Sequence, residues 1–305
     1  MAIAEVRRLS KRMTVLEPGE DPERLSAGLR QDGIQPMGQI PKDVCQGILS
    51  ALQNKPLYNG YAISNSDRVA RPLQDARQFP IGIHTAADVI MAQGALELAN
   101  NPTILKAVES YLGCIPTIYS IGMWRSFSAP ERNATQKFHR DYDDFKFCSL
   151  FVYLTDVTER TGPHQYVRGS HTIEGVQAIL NETAATRASA DSGDQPPQNP
   201  AAYFQLGFVE ESEPDGAFSR HFQRVFGHRL TTQLGETGYA FLVDTHGLHR
   251  GLSPRDGERA IFNVRYGVGG GSFGGYTVLP RLPPDHPLRR QLSKPPYSHV
   301  NARFL

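Results

Sequence analysis

The chain has 305 residues, 39% hydrophobic and 21% charged, with 32 basic against 31 acidic side chains and a formal net charge of +1. These are globular values, which exclude wholesale disorder and a coiled coil. The balanced charge gives no footprint for nucleic acid or an anionic membrane, and no apolar run approaches the ~18–20 residues that cross a bilayer. Cys45, Cys114 and Cys148 stand at unrelated spacings, so neither a disulfide framework nor a zinc site is expected. Residues 1–13 are charged without an apolar stretch, so they do not read as a secretory signal and a cytoplasmic location is expected.

The first forty residues are polar and interrupted by Pro18, Pro22 and Pro36, with a short helix expected from Leu25 to Gly33. A second helix opens at Pro41 and aligns Val44, Ile48, Leu49 and Leu52 on one face. Residues 56–84 show few periodic apolar positions and are expected to be irregular. Helix signals return over 85–99. The next helix has both ends marked, with Asn101 as cap, Pro102 in the first turn, a stripe of Ile104, Val108 and Leu112, and a stop at Gly113.

The texture then changes. Runs of β-branched and aromatic residues at 115–127, 145–157, 239–244 and 260–268 are separated by Gly, Pro and Asp. No repeated helical crossover follows them, so a doubly wound sheet is excluded and an antiparallel sandwich or barrel is expected. Residues 181–202 read as a long polar loop, 203–230 as an ordered part of an insertion, and the tail from Pro280 as a surface strap. The glycine-rich run 269–275 lacks the Lys-Ser/Thr of a phosphate cradle and reads as a loop. One domain over 1–305 is expected: an extension (1–24), a helical lead-in (25–113), a strand-rich core (114–279) with an insertion at about 181–235, and a tail (280–305).

Two clusters carry chemistry. The first runs from Gln136 through His139, Asp141, Asp143 and Asp144. On an extended strand, residues i and i+2 share a face, so His139 and Asp141 can aim a nitrogen and a hard oxygen at one point. Those are two of the three donors of a 2-His-1-carboxylate site suited to non-haem Fe(II). The bland alternative is a solvated acidic turn with a bystander histidine. In the second cluster an apolar strand delivers His246 and His249, a Pro/Asp/Gly turn follows, and a second strand opens with Arg259 and continues to Arg265. A third ligand would then stand near a guanidinium, which grips a carboxylate through two parallel hydrogen bonds.

Together these residues resemble the phytanoyl-CoA dioxygenase family of Fe(II)- and 2-oxoglutarate-dependent oxygenases. Three features carry the resemblance: His139-Arg-Asp141 leading into a strand that ends at Tyr153-Leu-Thr-Asp156, the stretch Thr161-Gly-Pro163 followed by Gly169-Ser-His171, and His249 ten residues before Arg259. The opening Leu29-Arg-Gln-Asp-Gly33 and the helix from Pro41 are also similar. The resemblance implies a double-stranded β-helix, the cupin-like jelly roll, flanked by helices. It implies that His139, Asp141 and His249 hold Fe(II) and that Arg259 pairs with the distal carboxylate of 2-oxoglutarate. With O2 as the other co-substrate, such a site oxidises a C–H bond of a small molecule and releases succinate and CO2. Halogenases of this kind carry a small residue in place of the carboxylate, so Asp141 favours hydroxylation, desaturation or ring formation.

Several positions compete. His246 rivals His249, and the spacing to the arginine favours His249. Arg265 rivals Arg259 and is otherwise an ion pair or a substrate contact. His171 is expected to hold its turn. The family keeps Ser or Thr two residues after the distal histidine, whereas this chain has Gly251, with Ser253 further on and Gln136 as another candidate beside the co-substrate. Trp124, Arg125, Tyr153, Arg265 and His246 are candidate pocket residues, although a Trp or Tyr on a strand is more often core. Arg220, His221, Arg224, His228 and Arg229 form a basic run that is either a solvated face or a lid contact. Two other readings stand beside the oxygenase: a metal-dependent jelly-roll enzyme of another class, such as an isomerase or hydrolase, and a jelly-roll binding protein without turnover. The C-terminal Ala302-Arg-Phe-Leu305 reads as no peroxisomal address. Oligomeric state is not legible.

Overall fold

Helix α1 (Pro22–Asp32) begins at Asp21, whose carboxylate accepts the Glu23 N–H, and ends at Gly33. The computed structural model describes residues 21–60, 69–128, 136–187, 199–204, 217–269 and 279–305. Strand β1 (Ile34–Gln39) follows. Pro36 cannot donate to a ladder, which an edge strand tolerates, and β1 lies at the edge of its sheet. Helix α2 (Lys42–Leu52) buries Cys45, Ile48 and Leu52.

Residues 56–84, expected to be irregular, instead hold β2 (Leu57–Asn59), β3 (Ala70–Arg71), α3 (Leu73–Ala76) and β4 (Ile81–Ile83). Elements this short present no period to read. The helical stretch over 85–99 is two helices, α4 (Ala86–Met91) and α5 (Ala95–Ala99), parted at Gly94. In α6 (Pro102–Leu112) the Asn101 side chain accepts the N–H groups of Thr103 and Ile104, a cap worth about 1 kcal/mol.

Strands β5 (Thr117–Phe127), β6 (Phe147–Tyr153) and β7 (His164–Val167) come next, then helices α7 (Ile173–Arg187), α8 (Pro200–Phe204) and α9 (Ala217–Phe226). A 3-10 turn (Gly227–Arg229) leads into β8 (Leu230–Gln233), followed by β9 (Tyr239–Val243), β10 (His249–Gly251) and β11 (Glu258–Gly267). The chain ends with α10 (Arg289–Leu292) and α11 (Tyr297–Val300). Residues 181–187, expected in a loop, continue α7. Residues 1–20 of the N-terminal extension, 188–198 of the loop and 270–275 of the glycine-rich run lie outside the described residues. The tail is not a surface strap: Leu282, Leu288, Leu292, Val300 and Phe304 are buried in the main core.

Among the described residues the strands form two antiparallel sheets. The larger has the order β1-β9-β6-β11-β5-β4-β2-β3, the smaller β10-β7-β8. Sequence-distant strands lie side by side, as in a jelly roll with flanking helices. Alternation along the central strands separates the two faces of the large sheet. Ala260, Phe262 and Val264 of β11, Leu150 and Val152 of β6, and Ala240 and Leu242 of β9 meet the N-terminal helices and the tail in one core. Ile261, Phe151, Tyr153, Phe241 and Val243, from the same strands, join a second cluster with Tyr166 of the small sheet. A third cluster packs α7, α8 and α9 against Phe138, Val167 and Leu248. No helix among the described residues is long and apolar enough to cross a membrane.

Candidate functional site

His139 and His249, the latter opening β10, form an isolated antiparallel bridge and exchange both main-chain hydrogen bonds, at 2.9 and 3.0 Å. The expected strand at residue 139 is thus reduced to a bridge. The local backbone still divides the side chains. Asp141, whose N–H donates to the Thr245 carbonyl at 2.9 Å, joins His139 on the cleft, while Arg140 goes elsewhere. Arg140, only 3% exposed, donates to the carbonyls of Ser170 (2.6 Å) and His246 (2.5 Å). The residue between the two donors therefore anchors the segment that carries the third. Ser170 adds to this: its Oγ donates to the Val167 carbonyl at 2.7 Å and accepts the Leu248 N–H at 2.8 Å. His171 lies 3.2 Å from the Arg30 carbonyl and holds the turn.

Each histidine of the pair sets Nδ1 against a carbonyl, His139 against Lys137 (2.8 Å) and His249 against Gly247 (2.9 Å). A proton on Nδ1 donated there leaves the ring lone pair on Nε2. The Nε2 atoms of His139 and His249 lie 3.7 and 3.8 Å from the two carboxylate oxygens of Asp141. One donor atom from each of the three residues falls within 4.8 Å of the others. Burial, reinforced by His139, pushes His249 down to about 3. At Asp141 burial pushes upward, but Arg265, His249 and His139 outweigh it and bring the carboxyl to about 2. A neutral imidazole and an ionised carboxylate bind a metal without first losing a proton.

Arg265 stands behind the carboxylate. Its Nη2 lies 3.2 Å from Asp141 Oδ2, an ion pair without hydrogen-bond geometry, and its Nη1 is bonded to Asp143. A buried carboxylate oxygen with no hydrogen bond has an electron pair to offer a cation. Two nitrogens and one hard oxygen, converging on one point, fit an open-sided Fe(II) site.

The three donors line a cleft of about 640 Å³, counting its open mouth. Arg259, Ile261 and Arg265 come from alternate positions of β11, and Trp124, Gln136, Phe151, His164 and Gly251 complete much of the wall. Arg259 is 3% exposed, donates to the Gly162 carbonyl and reaches Ser126 Oγ at 3.2 Å. Gly162 has φ +82°, and a β-carbon there would meet the Leu252 carbonyl oxygen at 2.3 Å. Only glycine fits this turn, and its carbonyl seats the guanidinium.

Gly251 follows the same logic: a β-carbon would lie 2.7 Å from Arg259 Nη2. The glycine leaves room for the arginine where the family keeps a hydroxyl residue. A hydroxyl reaches the guanidinium from Ser126, opposite Arg259 in the β5–β11 register. Sequence reasoning missed Ser126, because nothing short of the strand pairing joins positions 126 and 259. Ser253 does not line the cleft. His249 and Gly251 are two residues apart on β10, about 7 Å along an extended strand, and Arg259 lines the same cleft as His139, Asp141 and His249. Gly251→Ser should crowd Arg259 out of its seat. On the role that the resemblance implies for Arg259, the expected result is a 2-oxoglutarate Kd about tenfold higher, the loss of one charge-assisted hydrogen bond, with metal affinity unchanged in calorimetry.

Of the expected pocket residues, Trp124 lines the cleft, edge-to-face with Phe151 at 5.8 Å, as do Gln136 and Arg265. Three do not. Arg125 pairs with Glu258. Tyr153 is wholly buried and donates to the Gln233 carbonyl at 2.9 Å. His246 sits against Tyr142 and Phe147. In the basic run, Arg229 and His228 both pair with Glu182, and Arg220 and Arg224 are exposed. His164, also missed, is buried on the cleft wall. Burial, then His249, Arg259 and His139, hold it well below the ordinary histidine range.

A sequence profile of the phytanoyl-CoA dioxygenase (PhyH) family matches residues 30–206, more than half of the chain. The chain belongs to this family. It is therefore an Fe(II)/2-oxoglutarate-dependent enzyme. The matched span contains His139 and Asp141 and ends before His249 and Arg259. No curated protein sequence matches the chain. Solved structures with a similar chain path include AviO1 from Streptomyces viridochromogenes Tue57, at 13% identity over 81% of this chain and 94% of that one, TM-score 0.45. The epimerase SnoN, crystallised with Fe3+, alpha-ketoglutarate and nogalamycin RO, is 17% identical over 80% of this chain and 82% of its own, TM-score 0.48. HygX from Streptomyces hygroscopicus, with nickel and 2-oxoglutarate bound, is 13% identical over 80% and 86%, TM-score 0.46.

Proposed function

We propose that this member of the family hydroxylates a C–H bond of a small-molecule substrate, with His139, Asp141 and His249 holding Fe(II) and Arg259 holding 2-oxoglutarate. The observation that carries the reading is the convergence of three donor atoms within 4.8 Å, from two segments far apart in the chain. Bound Fe(II), 2-oxoglutarate and O2 supply the oxidising power, and the balance is substrate–H plus 2-oxoglutarate plus O2 giving substrate–OH, succinate and CO2.

The protein supplies position and environment. Asp141 stays ionised and is steered by Arg265. The carbonyls of Lys137 and Gly247 keep the two ring lone pairs on Nε2. Arg259, seated by Gly162 and Ser126, offers a fixed fork to the far carboxylate. Trp124, Phe151 and Ile261 give part of the cleft an apolar wall, which suits the hydrocarbon portion of a substrate and limits water near the reacting carbon. Asp141 occupies the position that halogenases leave open, which favours oxygen insertion over halide transfer.

The test is succinate formation by purified protein supplied with Fe(II), ascorbate and 2-oxoglutarate, alone and with a panel of small molecules. Expected is turnover that needs both the metal and 2-oxoglutarate and rises with one substrate class. A metal-loaded protein that does not bind 2-oxoglutarate would instead be an isomerase, a hydrolase or a binding module.

A further inference from the structure

Strand β7 opens on His164, directly after the turn whose Gly162 carbonyl seats Arg259. The main chain of His164 is fixed, opposite Gly251 on one side and Gln233 on the other, with its N–H donating to the Tyr153 hydroxyl at 3.2 Å. The ring is boxed in by aromatic neighbours. It lies nearly parallel to His249 (centroids 5.5 Å, 27°) and packs on Phe151 (5.3 Å) and Phe241 (5.4 Å). The residue is 3% exposed and lines the cleft, and its Nε2 is buried with no hydrogen-bond partner among the described residues.

Such a nitrogen is costly to fold unless something completes it. An aromatic box with no ligand to serve would be filled better by Leu or Phe. The position identifies the missing partner. His164 stacks on His249 and is paired across the strands with Gly251, which leaves room for the Arg259 guanidinium. It therefore flanks the gap between the metal donors and Arg259. It is not a fourth metal donor, because the converging set is His139, Asp141 and His249 alone among the described residues.

We propose that His164 donates an Nε2–H hydrogen bond to a carboxylate oxygen of 2-oxoglutarate, and so acts with Arg259 as a positioning residue for this keto-dicarboxylate. The inference rests on the functional reading above. It adds a recognition element that the composition of the second cluster does not contain.

The experiment measures 2-oxoglutarate binding to the full chain loaded with Mn(II) under anaerobic conditions, for wild type, His164→Leu and His164→Gln. Expected is a Kd about tenfold or more higher in His164→Leu, with Mn(II) affinity kept. Gln, whose amide can still donate, should recover most of the loss. In steady state the KM for 2-oxoglutarate should rise while kcat changes little. Wild type that does not bind 2-oxoglutarate sinks the functional reading itself. Wild type that binds while both variants match it leaves that reading standing and overturns the role of His164. Equal loss of metal affinity in both variants overturns it as well. Should His164→Leu fail to fold, nitrogen-15 histidine spectra of the Zn(II)-loaded wild type decide. A ring N–H resonance missing from His164→Gln must shift when 2-oxoglutarate is added, and an unmoved resonance refutes the proposal.

Discussion

Replacing Asp141 with alanine is expected to lower succinate formation more than about a hundredfold and to weaken Fe(II) or Mn(II) binding by a similar factor. Loss of a mere outer-shell partner of a metal site already reaches that scale, and Asp141 offers the only carboxylate oxygens in the converging set. Its carboxyl, held at about 2 by Arg265, His249 and His139 against the upward push of burial, is ionised at any working pH. Without it the two imidazoles would face Arg265 across a site stripped of its anionic ligand. The protein should nevertheless fold, because Arg265 retains Asp143 and the main-chain bond from residue 141 to Thr245 needs no side chain. Asp141→Asn, which keeps the shape and removes the charge, should fall between the two. Titration of the apo-protein with Mn(II), followed by electron spin resonance, reads the affinity directly. An alanine variant that binds metal like wild type would show that the ion sits elsewhere.

The legible part of this molecule was whatever a short stretch of chain encodes by itself. Helix α6 announced both its ends, since Asn101, Pro102 and Gly113 act on their own backbone. Strands β5, β6, β9 and β11 showed their composition, and His139 with Asp141 showed a shared face. Strand β1 did not show, because Pro36 is tolerable only once the strand is known to be an edge. Nor did β2, β3 and β4, each too brief for a period. The tail misled for a related reason: its prolines looked like a surface strap, while Leu282, Leu292 and Phe304 fill a core shared by the N-terminal helices and one face of the large sheet. In the site, Ser126 and His164 stayed hidden, because their meaning lies in register, 126 opposite 259 and 164 opposite 251. Tyr153, Arg125 and His246 had the right chemistry for a pocket and the wrong direction. Side-chain direction depends on which partner strand fixes the pleat.

The second large effect concerns Arg259. Arg259→Ala should raise the 2-oxoglutarate Kd about a hundredfold, the loss of a two-pronged, charge-assisted grip of about 3 kcal/mol. Mn(II) affinity should stay within a few-fold, since the guanidinium is seated by the Gly162 carbonyl and Ser126 Oγ. That separation is the informative outcome, because general disruption of a jelly roll would damage both sites together. Removing a 3%-exposed side chain also strips the Gly162 carbonyl and Ser126 Oγ of a donor, so some loss of thermal stability is expected beside the binding defect. Arg259→Lys serves as the control. It restores a charge but not the planar fork, and the Gly251 gap is shaped for a guanidinium, so affinity should return only in part. Full recovery with lysine would mean that charge alone recruits the co-substrate and that the seat built by Gly162, Gly251 and Ser126 contributes nothing to aiming it. Unchanged affinity in the alanine variant would move the carboxylate grip away from Arg259, leaving Arg265 as the remaining guanidinium on the cleft wall.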